Sequence, residues 1–275
     1  MIPAKFDYRR AFSVAEAISM LSEGGEDSKL LAGGHSLLPL MKLRLASPAQ
    51  LVDIGPVRDL SYVRDAGDHV AVGALTRHCD VAGSDLARSE MPLLAHVAGQ
   101  IGDPQVRHRG TLGGSIAHGD PASDLPAVCL ASRATLVASG AGGTREIASR
   151  DFFTGFLETA LAPDEVLTEI RFPKAGHASW SFQKFALRAQ DWAIVGVAAL
   201  LDGEAGVALV NMADTPVVAT GVEQALAGGA SASEAATHAS DGLEPPDDVR
   251  ASREFRSHLA TVLVERALEE ASGTR

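Results

Sequence analysis

Two short glycine-rich segments constrain this chain more than any other feature. The first, residues 32–36, reads Ala-Gly-Gly-His-Ser, and the second, residues 111–115, reads Thr-Leu-Gly-Gly-Ser. Glycine lets a backbone approach an anion closely and adopt positive φ without steric cost, so successive N–H groups can converge on phosphate oxygens. Hydroxyl groups on Ser36, Thr111 and Ser115 can add donors or cap neighbouring elements. We therefore predict that both segments are turns and that together they bind one pyrophosphate group.

The pairing of the two segments is what favours a ligand. A single Gly-Gly pair is more often an ordinary turn, whereas a second pair with similar flanking hydroxyls favours the binding interpretation. The net charge of −11 and the scattered Lys and Arg residues argue against a groove that follows a nucleic-acid backbone. A bound phosphate must therefore be held locally.

Length and composition indicate a globular protein of two domains. With 275 residues the chain can bury a sizeable core, and 46% of its residues are hydrophobic. The longest apolar run, residues 193–201, is strand-sized and well short of the roughly eighteen residues that a membrane span needs.

Cysteine and histidine usage bears on location and metal content. The first residues lack the basic and then apolar pattern of a secretory signal, and Cys79 and Cys129 suggest no disulfide framework, so we expect a cytoplasmic protein. Two cysteines cannot supply the four thiolates of an iron–sulfur cluster, and the histidine spacings match no compact zinc pattern. We expect no metal in this chain.

Hydrophobic periodicity predicts a small β/α unit at the start. Residues 13–16 form a capping box, and apolar residues follow at helical spacing through Leu21 until two glycines end the helix. Residues 29–31 predict a strand that leads into the first glycine segment, and residues 50–54 predict another. Residues 37–45 are mixed and give no assignment.

A larger, loop-rich unit follows up to about residue 173. Its sequence predicts strands and helices in alternation, including a helix with Pro126 in its first turn. The predicted strands are residues 69–73, 135–138 and 166–172, and the predicted helices start at Thr76, Met91 and Leu125.

A second domain is predicted beyond residues 173–176, which form a proline- and glycine-containing boundary. Three strand-like segments, residues 180–187, 193–201 and 207–212, are typical of an antiparallel meander. Apolar residues recur at three- and four-residue spacings over residues 255–267 and predict a C-terminal helix.

Longer stretches around the glycine segments carry a resemblance to a known family. They are residues 31–44, 109–117 and 120–124, with residues 191–198 further along. These stretches resemble the medium, FAD-binding subunit of molybdenum hydroxylases, the family of carbon monoxide dehydrogenase and xanthine dehydrogenase. The resemblance extends over the entire chain.

The resemblance implies an α+β fold with two domains. Residues 1–173 would form an FAD-binding domain of the vanillyl-alcohol-oxidase (PCMH) type, with subdomains at about 1–55 and 56–173. Residues 178–275 would form a C-terminal domain like that of carbon monoxide dehydrogenase flavoproteins, with a three-stranded antiparallel sheet and helices.

The resemblance also implies partners and a role in electron transfer. In such complexes a large subunit carries the molybdenum cofactor and a small subunit carries two [2Fe–2S] clusters, and the assembly is a dimer of heterotrimers. The medium subunit binds FAD non-covalently and passes electrons to an external acceptor. No nucleic-acid partner is expected.

Residue by residue, the resemblance implies a cofactor site and no catalytic residue or metal ligand in this chain. The implied FAD-binding residues are Leu31, Ala32, Gly33, Gly34, His35, Ser36, Leu37, Ile101, Thr111, Gly113, Gly114, Ser115, Ala117, Asp120, Ser123, Asp124, Leu167, Lys184 and Trp192.

Several of these residues have a second interpretation. Asp124, with Asp120 and Ser123 near it, could accept a hydrogen bond from a ribose or ribityl hydroxyl, or could cap the helix that follows. Lys184 matches a cation beside the flavin ring, which would raise the flavin potential, but could be a solvated strand lysine. Trp192 could shield the ring or lie in the core of the second domain.

His35 raises the question of covalent attachment. Some oxidases of the wider fold attach FAD through a histidine in a similar Gly-Gly-His-Ser turn. The flavin of molybdenum hydroxylase subunits is non-covalent, and this position is commonly glutamine or histidine there, so we expect a non-covalent site.

Two other functions stay open at this point. A self-sufficient FAD oxidase or dehydrogenase would act on its own small substrate and would need a base beside the flavin, for which the sequence offers no convincing residue. A flavin-free scaffold would retain only the fold, and the intact glycine segments speak against it.

Overall fold

A three-stranded parallel sheet with two helices opens the computed structural model, which describes residues 2–273. The Ser13 hydroxyl accepts a hydrogen bond from the Glu16 N–H, and the Glu16 carboxylate accepts one from the Phe12 N–H, so the predicted helix start is confirmed. In chain order the elements are β1 (Asp7–Arg10), α1 (Val14–Gly24), β2 (Ser28–Leu31), α2 (Leu37–Leu43) and β3 (Gln50–Asp53), and the strand order is β1-β3-β2.

An antiparallel five-stranded sheet with six helices forms the second unit. The three strands predicted from the sequence here are confirmed. The sheet strands are β4 (Val63–Asp65), β5 (His69–Gly73), β6 (Thr135–Gly140), β7 (Gly143–Ala148) and β10 (Val166–Pro173), in the order β4-β5-β10-β6-β7, and β8 (Phe153–Gly155) and β9 (Glu158–Thr159) form a separate pair. The helices are α3 (His78–Gly83), α4 (Asp85–Glu90), α5 (Pro92–Gln100), α6 (Pro104–Arg107), α7 (Leu112–His118) and α8 (Asp124–Ala131).

One segment in each of these two units differs from the sequence prediction. Residues 37–45, which gave no assignment, contain helix α2. The second glycine segment was predicted to be a turn, and this is wrong: Thr111 is the N-cap of α7, and its hydroxyl accepts from the Gly114 N–H. A cap of this kind offsets part of the low helix propensity of two glycines, and the Gly113 N–H also donates to the Ala74 carbonyl.

The C-terminal region is an antiparallel meander with helices on one side. The three predicted strands are confirmed, and a two-residue fourth strand extends the sheet beyond the three that the resemblance implies. The elements are β11 (Ser179–Phe185), β12 (Val195–Asp202), β13 (Glu204–Val210), β14 (Val217–Val218), α9 (Thr220–Ala227), α10 (Ala232–Ala236) and α11 (Arg253–Ala271).

The two faces of this sheet are buried in two different cores. Ala198 and Leu200 on β12 pack with the second unit, while Val197 and Ala199 pack with the C-terminal helices. This alternation is the period of two expected for a strand that is covered on both faces. All eight residues of α8 are buried, and this helix lies against β12 and β13. The C-terminal sheet is therefore packed directly on the FAD-binding region predicted from the sequence.

Within residues 2–273, none of the helices combines the length and the apolar character that a membrane crossing requires.

The close approach of β13 to α8 gives a stability prediction. A Cβ on Gly206 would overlap the carbonyl oxygen of Ala131 at the end of α8. Gly206→Ala should therefore cost about 1–3 kcal/mol through overpacking and lower the thermal midpoint by roughly 2–10 °C. Thermal unfolding followed by circular dichroism measures this shift.

The matched control is Gly83→Ala, because an added Cβ there meets nothing within 4 Å. The control should unfold at or slightly above the temperature of the wild-type protein, because alanine is the better helix former. Equal midpoints for Gly206→Ala and the wild type would contradict this account of the domain contact.

Candidate functional site

A cavity of about 930 Å³ collects the residues that the sequence singled out. It lies where the first unit, the second unit and the C-terminal region meet. Every implied FAD-binding residue lines it except Asp120, which lines a smaller neighbouring cavity of about 370 Å³. Stretches 60 or more residues apart in the chain are thus brought to one site.

The first glycine segment presents a row of free donors. It connects β2 to α2, and Gly34 adopts a φ of 75°, which favours glycine. The backbone N–H groups of residues 33–36 have no hydrogen-bond acceptor among residues 2–273. Consecutive free N–H groups in a turn of this kind form a concave site for an anion.

The second glycine segment uses its N–H groups differently. The Gly113 N–H donates to the Ala74 carbonyl (2.9 Å), and the Ser115 N–H donates to the Thr111 carbonyl (3.0 Å). Gly113 is needed for packing, because its Cα lies so close to Ala74 that a Cβ would overlap that residue. The second segment therefore does not present a second row of free amides. What it offers to a ligand is the Ser115 hydroxyl and, at Gly114, a surface without a side chain.

The first glycine segment packs against the backbone that leads into the second. A Cβ on Gly33 would overlap the carbonyl oxygen of Arg109 and would lie 2.9 Å from the Cα of Gly110. A Cβ on Gly114 would lie 3.8 Å from the Cβ of Ala32. The two segments line the same cavity, and the close packing at Gly33 requires glycine there. Their joint binding of a pyrophosphate group stays a prediction.

A buried ion pair lies on the wall of the cavity. Lys184 on β11 donates to Asp124 at the start of α8 (2.7 Å), and their side chains are 14% and 4% exposed. Burial raises the pKa of Asp124 above its usual value, while the Lys184 ammonium acts in the opposite direction. The second carboxylate oxygen of Asp124 is buried and has no partner in the part of the chain that the structure describes.

This pair decides two of the open alternatives. Asp124 does not cap the helix: it is the first residue of α8, Ser123 is the N-cap, and no side chain caps the helix. Lys184 is largely buried, so it is not a solvated strand lysine. Asp120 accepts from the Ala122 N–H (2.8 Å), which holds the loop before α8.

Apolar and aromatic residues complete the walls. Trp192 is 48% exposed and borders both cavities, so the alternative of a core tryptophan is wrong. Leu167 is buried at an irregularity of β10, while Ile101 and Ala117 are partly buried. Arg107 donates to the carbonyls of Ile101 and Gly102 (3.0 and 3.1 Å), so its guanidinium holds the loop.

Sequence reasoning missed His78, which also lines the cavity. Its side chain is buried, and burial, with the nearby His35 and Arg107 as smaller causes, lowers its pKa to about 4. A single histidine at a helix start carries no motif, so no signal in the sequence could have found it. Within residues 2–273, no group of three or more His, Cys, Asp or Glu side chains could hold a metal ion.

Family models match both parts of the chain. Residues 4–175 match the FAD binding domain in molybdopterin dehydrogenase, and residues 180–271 match the CO dehydrogenase flavoprotein C-terminal domain. These matches confirm the resemblance seen in the sequence.

Individual relatives cover almost the whole chain. The carbon monoxide dehydrogenase medium chain of Hydrogenophaga pseudoflava is 40% identical, and the alignment covers 98% of both proteins. The glyceraldehyde dehydrogenase medium chain of Sulfolobus acidocaldarius is 36% identical, and the alignment covers 98% of this chain and 99% of that protein. A solved structure of the Hydrogenophaga pseudoflava carbon monoxide dehydrogenase, lacking the Mo-pyranopterin moiety, superposes with a TM-score of 0.96 at 41% identity and 99% coverage of both chains. The expected α+β fold class is confirmed, and the chain belongs to the family of FAD-binding medium subunits of molybdenum hydroxylases.

Proposed function

We propose that this chain binds FAD non-covalently in the 930 Å³ cavity and is the electron-transfer subunit of a molybdenum hydroxylase complex. It accepts electrons from the [2Fe–2S] clusters of a small partner subunit and passes them to an external acceptor. A large partner subunit carries the molybdenum cofactor and oxidises the substrate. We infer a dimer of such heterotrimers in the cytoplasm, which agrees with both cysteines being free thiols.

The row of free N–H groups at residues 33–36 is the observation that supports the proposal most strongly. These four N–H groups carry partial positive charge and lie beside the contact of Gly33 with Gly110. They fit a diphosphate, because its oxygens are negatively charged and accept hydrogen bonds. The unpartnered oxygen of Asp124 fits a ligand hydroxyl, because a buried acceptor without a partner is otherwise costly. The residues present therefore fit the dinucleotide.

Bound FAD would supply reversible storage of electrons, and the protein would supply its position and electrostatic environment. Residues 33–36 and Ser115 would hold the diphosphate. Leu167, Lys184 and Trp192 would lie against the flavin ring, with Lys184 favouring negative charge there. The substrate of the complex is set by the molybdenum subunit, and the two relatives named above, which differ in substrate, support this division of labour.

Native purification and acid precipitation test the proposal. We expect the chain to purify with two partners that contain molybdenum and [2Fe–2S] clusters, and the yellow colour to stay in the supernatant after acid precipitation. Isolation of the chain alone, with turnover of a reduced substrate by that chain, would favour a self-sufficient oxidase instead. Colour retained in the pellet would indicate a covalent bond through His35.

The contact between the glycine segments gives a binding prediction. Gly33→Ala should push the Arg109 carbonyl away and separate the segments. If this costs about 1.4 kcal/mol or more, the dissociation constant for FAD rises at least tenfold. Titration of the apoprotein by flavin fluorescence quenching measures it.

Gly142→Ala is the matched control, because no atom lies within 4 Å of the added Cβ. The control should bind FAD as tightly as the wild type. Unchanged affinity in Gly33→Ala would show that this contact does not shape the site.

The buried ion pair gives a redox prediction with two opposite signs. Lys184→Met should lower the two-electron midpoint potential of bound FAD by roughly 30–60 mV, which corresponds to the about 1.5–3 kcal/mol of a charged hydrogen bond. Asp124→Asn should raise the potential, because the Lys184 ammonium then lacks its counter-ion. Spectroelectrochemical titration measures both shifts, and shifts of the same sign would contradict the assigned role of Lys184.

A further inference from the structure

His78 is fixed against Gly110, the residue that directly precedes the second glycine segment. It is the first residue of α3, and its backbone N–H donates to the Gly110 carbonyl (3.1 Å). A Cβ on Gly110 would lie 2.7 Å from both Cδ2 and Nε2 of the imidazole. Gly110 in turn packs against Gly33, the first of the residues with free N–H groups. The ring therefore lies next to the place where the anion would bind.

The two ring nitrogens have different surroundings. Nδ1 is enclosed by protein and has no hydrogen-bond partner within residues 2–273. Nε2 has no protein partner there either, but it is not among the enclosed atoms, and the side chain lines the cavity. Nε2 is therefore the nitrogen that a ligand in the cavity can reach.

The burial of Nδ1 also selects the tautomer. A buried N–H group without an acceptor is rarer in proteins than a buried acceptor without a donor, so the proton belongs on Nε2. Burial keeps the imidazole neutral at ordinary pH, since the pKa is lowered to about 4. The ring consequently directs a neutral N–H donor at the cavity.

We propose that His78 is a further binding residue of the dinucleotide and that its Nε2–H donates a hydrogen bond to an oxygen of the diphosphate. This proposal rests on the proposed function, because it needs a diphosphate ligand in the cavity. His78 would then add a side-chain donor at the start of α3 to the free N–H groups of residues 33–36.

Three substitutions at one position separate the hydrogen bond from packing. His78→Leu keeps the approximate size of the side chain and removes the hydrogen-bond donor. His78→Gln can place an amide N–H near the position of Nε2, whereas His78→Asn reaches only the position of Nδ1. Gln and Asn therefore form a matched pair that differs in the reach of the donor.

Isothermal titration of the full-length apoprotein with FAD and with ADP is the measurement. ADP carries the diphosphate without the flavin. We expect His78→Leu and His78→Asn to weaken both ligands about 10- to 100-fold, and His78→Gln to stay within about threefold of the wild type. Circular dichroism melts check that each variant folds, and the comparison of Gln with Asn remains informative if His78→Leu does not fold.

The outcomes separate this proposal from the proposed function. If the wild type binds FAD, and the Leu or Asn variant binds both FAD and ADP as tightly as the wild type does, His78 is not a binding residue. The proposed function then still stands. If all three variants lose affinity equally, the role of His78 is packing, and the proposal is overturned. A wild-type chain that binds neither FAD nor ADP would overturn the proposed function together with this inference.

Discussion

The contact of Gly33 with the backbone of Arg109 and Gly110 is the constraint on which the cavity depends. It joins a loop of the parallel three-stranded unit to a loop of the antiparallel unit, at a distance that no side chain larger than hydrogen allows. Packing holds the first loop in place, and the N–H groups of residues 33–36, which have no acceptor within residues 2–273, remain available to a ligand. Free donors in a fixed arrangement are what a preorganised anion site requires.

The C-terminal region completes the site from a distance. Lys184 lies on β11 and its partner Asp124 on α8, so their ion pair spans the boundary between the two domains. Burying two charges is costly, and a buried ion pair often adds no net stability compared with hydrophobic residues of similar volume. Its position on the wall of the cavity, with one carboxylate oxygen that has no partner within residues 2–273, fits the proposed contact of this pair with a ligand.

Local patterns predicted much of the fold, and non-local contacts explain what they missed. Helix α1, the meander and the C-terminal helix follow from capping and periodicity within the segment itself. Strand β1 was not predicted, because its Asp-Tyr-Arg-Arg sequence has no apolar alternation and becomes a strand only by pairing with β3. The glycine motifs and the family resemblance identified two of the loops that line the cavity, but not the part of its wall that residues 154–165 form. Neither the helix at the second motif, which depends on Ala74, nor the pairing of Asp124 with Lys184 is visible in a local pattern.

Helix α8 has no surface of its own to offer to water. All eight of its residues are covered, and the sheet of the following domain supplies part of that cover. A shortened chain that ended after β10 would expose this helix and leave a buried carboxylate without its cation. Neither half can thus be exchanged without the other, so we expect the two halves to be inherited together. The relatives that align with this chain from end to end agree with this expectation.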